Sequence, residues 1–127
     1  MATTSHDPIL IVDDNRLIRA FLKKLLETYE FRTEFAINGQ EAVSKWEQGS
    51  FRVILMDIEM PLTDGLEATK VIRQREKDEH RAVTPIIGIS GASRSGLQEQ
   101  CAKAGMNAFL PKPITIREAI DEISNFI

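Results

Sequence analysis

Apolar positions along the chain follow two alternating patterns. Five short runs, Ile9-Leu-Ile-Val12, Thr33-Glu-Phe-Ala36, Val53-Ile-Leu-Met56, Pro85-Ile-Ile-Gly-Ile89 and Ala108-Phe-Leu110, have strand length, and three are rich in Ile or Val. Between them the spacing turns helical. Leu17, Ile18, Phe21, Leu22, Leu25 and Leu26 recur as one amphipathic stripe. Ala42, Val43 and Trp46 predict a second helix after Asn38-Gly39, and Leu66, Val71 and Ile72 a third after Asp64-Gly65. Leu97, Cys101 and Ala104 predict a fourth that ends at Gly105; Ile116, Ala119, Ile120, Ile123 and Ile127 share a face of a fifth. Strand and helix thus alternate five times. Such alternation predicts an α/β fold, a doubly wound parallel sheet with right-handed crossovers and helices on both faces. Residues 1–8 read as an N-terminal tail and 9–127 as one domain, with no linker, repeat or second domain. The polar stretch Arg73 to Arg81 is expected to extend the third helix and its loop as a solvated surface.

Composition narrows the function classes. The chain has 127 residues, with 16 Lys plus Arg against 19 Asp plus Glu, a formal charge of −3. No basic block is present to displace counterions from nucleic acid, so direct nucleic-acid binding is not expected. Cys101 is the only cysteine, which rules out an intrachain disulfide or a Cys-based metal cluster and fits a reducing cytoplasm. The N-terminus lacks the basic and apolar regions of a signal peptide, and no apolar run approaches membrane-spanning length.

Open parallel sheets bind ligands beyond the carboxyl ends of their strands, so those positions carry the candidate chemistry. Asp13, Asp14 and Asn15 follow the first strand, Asp57 the third, Ser90 and Gly91 the fourth, and Lys112 and Pro113 the fifth. Ile37, Asn38 and Gly39 after the second read as a turn and helix cap. Carboxylates gathered at one edge repel one another unless a cation or proton intervenes. A hard divalent ion such as Mg²⁺ suits Asp13, Asp14 and Asp57, whereas His6 and His80 lie in expected surface segments and do not favour zinc. Beside such an ion an aspartate can attack phosphorus and form an acyl phosphate, with Lys112 and Ser90 facing the phosphoryl oxygens.

Taken singly, each residue also has a structural reading. Asp13-Asp14-Asn15 suits an N-cap, Asp57 a loop cap, Ser90 a cap of the fourth helix and Lys112 a solvated charge. Gly65 suits a positive φ in the turn Pro61-Leu-Thr-Asp-Gly65, and Phe109 and Cys101 suit core positions. The joint arrangement at four strand ends favours the chemical reading.

At these residues the chain resembles the receiver domain of two-component response regulators (CheY-like), over Ile9 to Ile127. Ile-Val-Asp13-Asp14-Asn15 is similar to the family's acidic pair, and Leu-Met-Asp57-Ile-Glu-Met-Pro61 to its phosphoacceptor strand end. Ile89-Ser90-Gly91-Ala92 is similar to the segment with the switch hydroxyl, and Phe109-Leu-Pro-Lys112-Pro113 to the switch aromatic and the lysine. The resemblance implies a five-stranded parallel sheet of order 2-1-3-4-5 and Mg²⁺ dependence, or Mn²⁺ in its place. It also implies transfer of phosphate from a histidine kinase or histidine phosphotransfer protein to Asp57. It further implies metal ligation by the backbone carbonyl of Glu59 and a cis bond between Lys112 and Pro113. In the implied mechanism Ser90 and Phe109 switch the surface of helix four, strand five and helix five, in a monomer or weak dimer without enzymatic turnover. Gly91 stands where the family more often has Ala, and Glu59 adds an acid expected to alter phosphoryl lifetime. Phrases such as Cys101-Ala-Lys-Ala-Gly-Met106 look most like receivers of hybrid histidine kinases and phosphorelays.

Two other classes share parts of this set. A haloacid-dehalogenase-like phosphatase places its nucleophile on the first strand with a second Asp two residues on, whereas here the acidic pair is on strand one and position 59 is Glu. A flavodoxin-like binder needs a phosphate cradle rich in Gly, Ser and Thr where this chain has Asp13-Asp14. A receiver fold acting as a phosphate-independent interaction module is the remaining alternative.

Overall fold

The computed structural model describes residues 7–60, 64–91 and 96–127; His6, the turn positions 61–63 and Ala92 lie outside the described residues. The elements run β1 (Ile9–Val12), α1 (Arg16–Thr28), β2 (Thr33–Ala36), α2 (Gly39–Gln48) and β3 (Val53–Asp57). They continue as α3 (Gly65–Asp78), β4 (Ile86–Ser90), α4 (Leu97–Ala104), β5 (Ala108–Pro111) and α5 (Ile116–Ser124). All neighbouring strands pair parallel, in the order β2-β1-β3-β4-β5.

Strict two-residue alternation within strands builds a core on each face. Leu10, Val12, Ile54 and Met56 point into one apolar layer, packed with Trp46 of α2, Ile72 of α3 and Leu97 of α4. Ile9, Ile11, Val53 and Leu55 point into the other, packed with Leu22 and Leu26 of α1 and Ile123 of α5. Continuous apolar runs are thus needed because both faces are covered. Each such side chain, fully withdrawn from water, contributes about 1.5–3 kcal/mol before entropy is charged against it.

Short caps start the helices without borrowing the chemical residues. The Asn38 side chain accepts from Glu41 N, Asp64 from Glu67 N, and Thr115 forms a capping box with Glu118. Gly65 differs from its sequence reading, since it is absent from the positive-φ glycines, which are Gly96 and Gly105. What it supplies is the missing Cβ. A methyl there would sit 2.3 Å from the Asp57 carbonyl oxygen and 2.9 Å from Met56 Cγ, so the first turn of α3 lies directly on the end of β3.

Two expectations need correction. The apolar stripe of α1 is wider than the arc that the sheet covers: Leu22, Leu25 and Leu26 are buried, whereas Leu17 is 79% and Phe21 47% exposed. Ile116 and Ile127 at the ends of the α5 face are likewise about half exposed, at 49% and 47%. The stretch Arg73 to Arg81 is not simply a solvated surface. Glu76 is buried, accepting from Arg73 Nη1 at 2.7 Å and Thr84 N at 2.8 Å. Arg73 also donates to the Gly105 carbonyl and to Asn107 Oδ1, and Arg81 lies over the Trp46 ring. These charges tie α3 to the amino end of the sheet, opposite the edge described next.

Candidate functional site

Register brings the strand-end residues to one level. Val12 pairs with Met56, so the next residues, Asp13 and Asp57, leave neighbouring strands side by side. Ser90 pairs with Pro111, and Lys112 N donates to the Ser90 carbonyl at 2.8 Å, which places Lys112 across the same edge. A ligand oxygen from each of Asp13, Asp14 and Asp57 lies within 4.8 Å of the others. Lys112 Nζ is 3.4 Å from Asp13 Oδ2 and 3.4 Å from Asp57 Oδ1.

Helix capping falls to the residue that directly follows the acidic pair. Asn15 caps α1, accepting from Leu17 N at 2.9 Å and Ile18 N at 3.2 Å. Asp14 therefore remains exposed, while buried Asp13 accepts from Asn15 N at 2.8 Å. Arg19, one helical turn into α1, donates to the Asp13 carbonyl at 2.8 Å and fixes the β1–α1 connection. No spacing rule pointed to Arg19; its role follows from the path of the loop. Among the described residues Asp57, Ser90 and Lys112 likewise cap no helix: Asp57 and Ser90 end their strands, and α4 has Gly96 at its N-cap position with no side-chain cap.

Asp57 is only 2% exposed, and its Oδ1 receives no hydrogen bond among the described residues. Burial first, and the negative charge of Asp13 second, push its carboxyl up to about 7 against the ordinary 3.8, with Lys112 pulling the other way. For Lys112, burial opposes the charge, but the Asp57 and Asp13 carboxylates outweigh it and hold the ammonium above its usual range. A buried carboxylate whose Oδ1 has only the Lys112 ammonium at 3.4 Å beside it, together with two more carboxylates, is an oxygen-donor set suited to a hard divalent ion. The donors present therefore fit a metal. The His80 side chain is exposed, far from forming a soft nitrogen site with them.

The remaining candidates are arranged differently. Ser90, 1% exposed, donates through Oγ to Glu59 Oε2 at 2.5 Å, and Gly91 N lies 3.3 Å from Glu59 Oε1. The Glu59 side chain thus engages the end of β4, a contact that the sequence did not announce. A methyl on Gly91 would meet the Lys112 stem at an ordinary 3.7 Å, so alanine fits there. Phe109 is half-buried and lines a cleft of about 150 Å³ between α4 and β5 with Cys101, Ala102 and Met106. Lys112 and Pro113 are joined by a cis peptide bond. Beside them opens a larger groove of about 660 Å³, walled by Asn15, Leu17, Phe21, Pro113 and Ile114.

An acid-lined edge of a doubly wound sheet, with a buried carboxylate beside a lysine, is a site whose donors could hold a divalent ion. The particular family follows from comparison: residues 9–124 match the response regulator receiver domain, and the chain belongs to that family. Hybrid signal transduction histidine kinase A of Dictyostelium discoideum is 34% identical over 118 residues, covering 92% of this chain and 6% of that protein. The chain spans from 4% to 48% of the length of the curated relatives it matches. Among solved structures, the receiver domain of Saccharomyces cerevisiae Ssk1, crystallised with the histidine phosphotransfer protein Ypd1, superposes with a TM-score of 0.88 at 28% identity. That match covers 97% of this chain and 91% of the other. The receiver domain of sensor histidine kinase PA1611 from Pseudomonas aeruginosa, with magnesium coordinated in its active-site cleft, gives 0.84 at 30% identity, covering 96% of this chain and 98% of the other. The acidic pair Asp13 and Asp14 follows β1 and Asp57 ends β3, which is not the strand order expected of the haloacid-dehalogenase-like alternative.

Proposed function

We propose that the chain is the phosphoacceptor of a two-component or phosphorelay pathway, taking a phosphoryl group on Asp57 from a phosphohistidine. The observation that carries the reading is the buried Asp57 carboxylate, set between the Asp13 carboxylate and the Lys112 ammonium, which lies 3.4 Å from its Oδ1. Asp57 Oδ attacks phosphorus, the P–N bond to the donor imidazole breaks as the P–O bond forms, and the imidazole leaves with its electron pair and takes up a proton. Lys112 Nζ, already at the carboxylate edge, neutralises charge on the transferring oxygens. Mg²⁺, or Mn²⁺ in its place, would be held by Asp13, Asp14, Asp57 and the Glu59 backbone carbonyl. When bound it supplies charge neutralisation for the carboxylates and the incoming phosphoryl oxygens. Ser90 and Phe109 then carry the change to the α4, β5 and α5 surface. The chain turns over no external substrate and acts in the cytoplasm, as a monomer or weak dimer.

The donor is a histidine kinase or histidine phosphotransfer protein. Its docking surface on this chain is the groove beside Lys112, where Leu17 and Phe21 expose apolar side chains that no element of the described fold covers. The relative solved with Ypd1 supports this class of partner. Intact mass after exposure to a small phosphodonor tests the central claim: one phosphoryl group is added with Mg²⁺, and none without Mg²⁺ or in Asp57→Asn. Mg²⁺-dependent labelling that persists in the variant would overturn it.

A further inference from the structure

We propose that the Glu59 side chain is a latch on the switch: it holds the Ser90 hydroxyl in the resting orientation, and activation must break that bond. The inference rests on the phosphoacceptor reading of Asp57. A hydroxyl has one proton to donate. In the structure Ser90 gives it to Glu59 Oε2 at 2.5 Å, and Gly91 N at 3.3 Å from Glu59 Oε1 places the same carboxylate over the next residue. Backbone pairing holds the two segments at one height, since Ile58 N donates to the Ile89 carbonyl at 2.9 Å, one residue before each partner. Ser90 is buried at the end of β4, whereas Glu59 is exposed on the bend after β3, so the acid reaches inward to a hydroxyl that has little solvent to compete for it.

Two demands therefore meet on one proton. A phosphoryl oxygen on Asp57 needs Ser90 as a donor, and Glu59 already holds that donor through a charge-assisted bond, stronger than a neutral one. The exchange is a population shift: whatever the Glu59 bond contributes to the resting state is subtracted from the pull of the phosphoryl group. Bonds of this kind shift an equilibrium by about tenfold or more. Glu59 is thus a positioning residue acting through Ser90, and it sets how readily phosphorylation becomes a conformational signal.

A double-substitution cycle separates the latch from simple charge repulsion. Beryllofluoride, a phosphoryl mimic, is titrated calorimetrically at saturating Mg²⁺ into the unsubstituted chain, Glu59→Ala, Ser90→Ala and the double variant. The latch predicts roughly tenfold tighter binding in Glu59→Ala and a much smaller gain when Ser90 is already alanine. Glu59→Gln, which keeps an acceptor without the charge, should fall between. In the unliganded protein the backbone amide resonances of Ser90 and Gly91 should move, on Glu59→Ala, toward their positions in the beryllofluoride complex. Equal gains in both backgrounds would assign the effect to charge alone and overturn the latch, as would no gain or unmoved amides. No Mg²⁺-dependent beryllofluoride binding by the unsubstituted chain would instead overturn the phosphoacceptor reading, and the latch with it.

Discussion

Replacing Asp57 by Asn should stabilise the fold while removing its chemistry, and the size of the effect follows from the proton affinity of the site. Folding raises the Asp57 carboxyl from the ordinary 3.8 to about 7, through burial first and the charge of Asp13 second. The folded state therefore binds this proton more tightly than the unfolded chain. Its contribution to stability is fully present below about pH 4 and is lost as pH rises through about 7. At about 1.4 kcal/mol per pH unit, the difference between those two values is an upper limit of roughly 4 kcal/mol. Asn keeps the shape of the neutral acid, so Asp57→Asn should gain about 2–4 kcal/mol at pH 8 without metal, and little at pH 4. Urea unfolding followed by the fluorescence of Trp46, run from pH 4 to 8 in chelator, measures this directly. Added Mg²⁺ should stabilise the unsubstituted chain by mass action and the variant much less. Equal stability of the two proteins across the range, or a variant less stable at pH 8, would refute the reasoning.

Other substitutions test separate parts of the structure. Gly65→Ala should cost about 1–3 kcal/mol in urea unfolding and reduce labelling, because its methyl would press on the Asp57 backbone, which has no flexible end to yield. Glu76→Ala should destabilise by about 2–3 kcal/mol, since it leaves Arg73 Nη1 and the buried Thr84 N without their acceptor while Arg73 keeps its bonds to Gly105 and Asn107. Labelling by a small phosphodonor should survive it once the folded fraction is taken into account. Leu17→Asp should leave thermal stability and small-donor labelling unchanged while slowing transfer from a phosphorylated histidine phosphotransfer protein about tenfold or more. A matching loss with both donors would place the fault in the acidic site instead of the docking groove.

Much of the fold could be read from local patterns. Runs such as Ile9 to Val12 must be covered on both faces, and helical stripes between them supply the cover, which leads directly to a doubly wound sheet. The residues after each strand were legible for the same reason, because a parallel sheet sends all its carboxyl ends to one edge. Less legible was everything that depends on width and direction. The α1 stripe carried no mark separating Leu22, which is buried, from Leu17, which is exposed. Glu76 looked like one more surface charge in a polar run, and its burial depends on Arg73 one turn back in α3 and on the Thr84 amide arriving from beyond the helix. Gly65 was recognised as special for the wrong reason: a close approach between α3 and β3 leaves no trace in the spacing of residues.

The sequence by itself determined the number and kind of elements, the sheet edge at which Asp13, Asp14, Asp57, Ser90 and Lys112 would gather, and the chemistry those groups can support. These properties are set by periodicity and by residue type, which are local. Tertiary structure alone decided that Asp13 emerges beside Asp57 and that Lys112 sits 3.4 Å from both carboxylates. It also decided that Asp57 holds its proton up to about 7 and that Ser90 gives its hydroxyl to Glu59. Proton affinity and hydrogen-bond choice depend on distances between segments far apart in the chain, and on how much water the packing leaves around them.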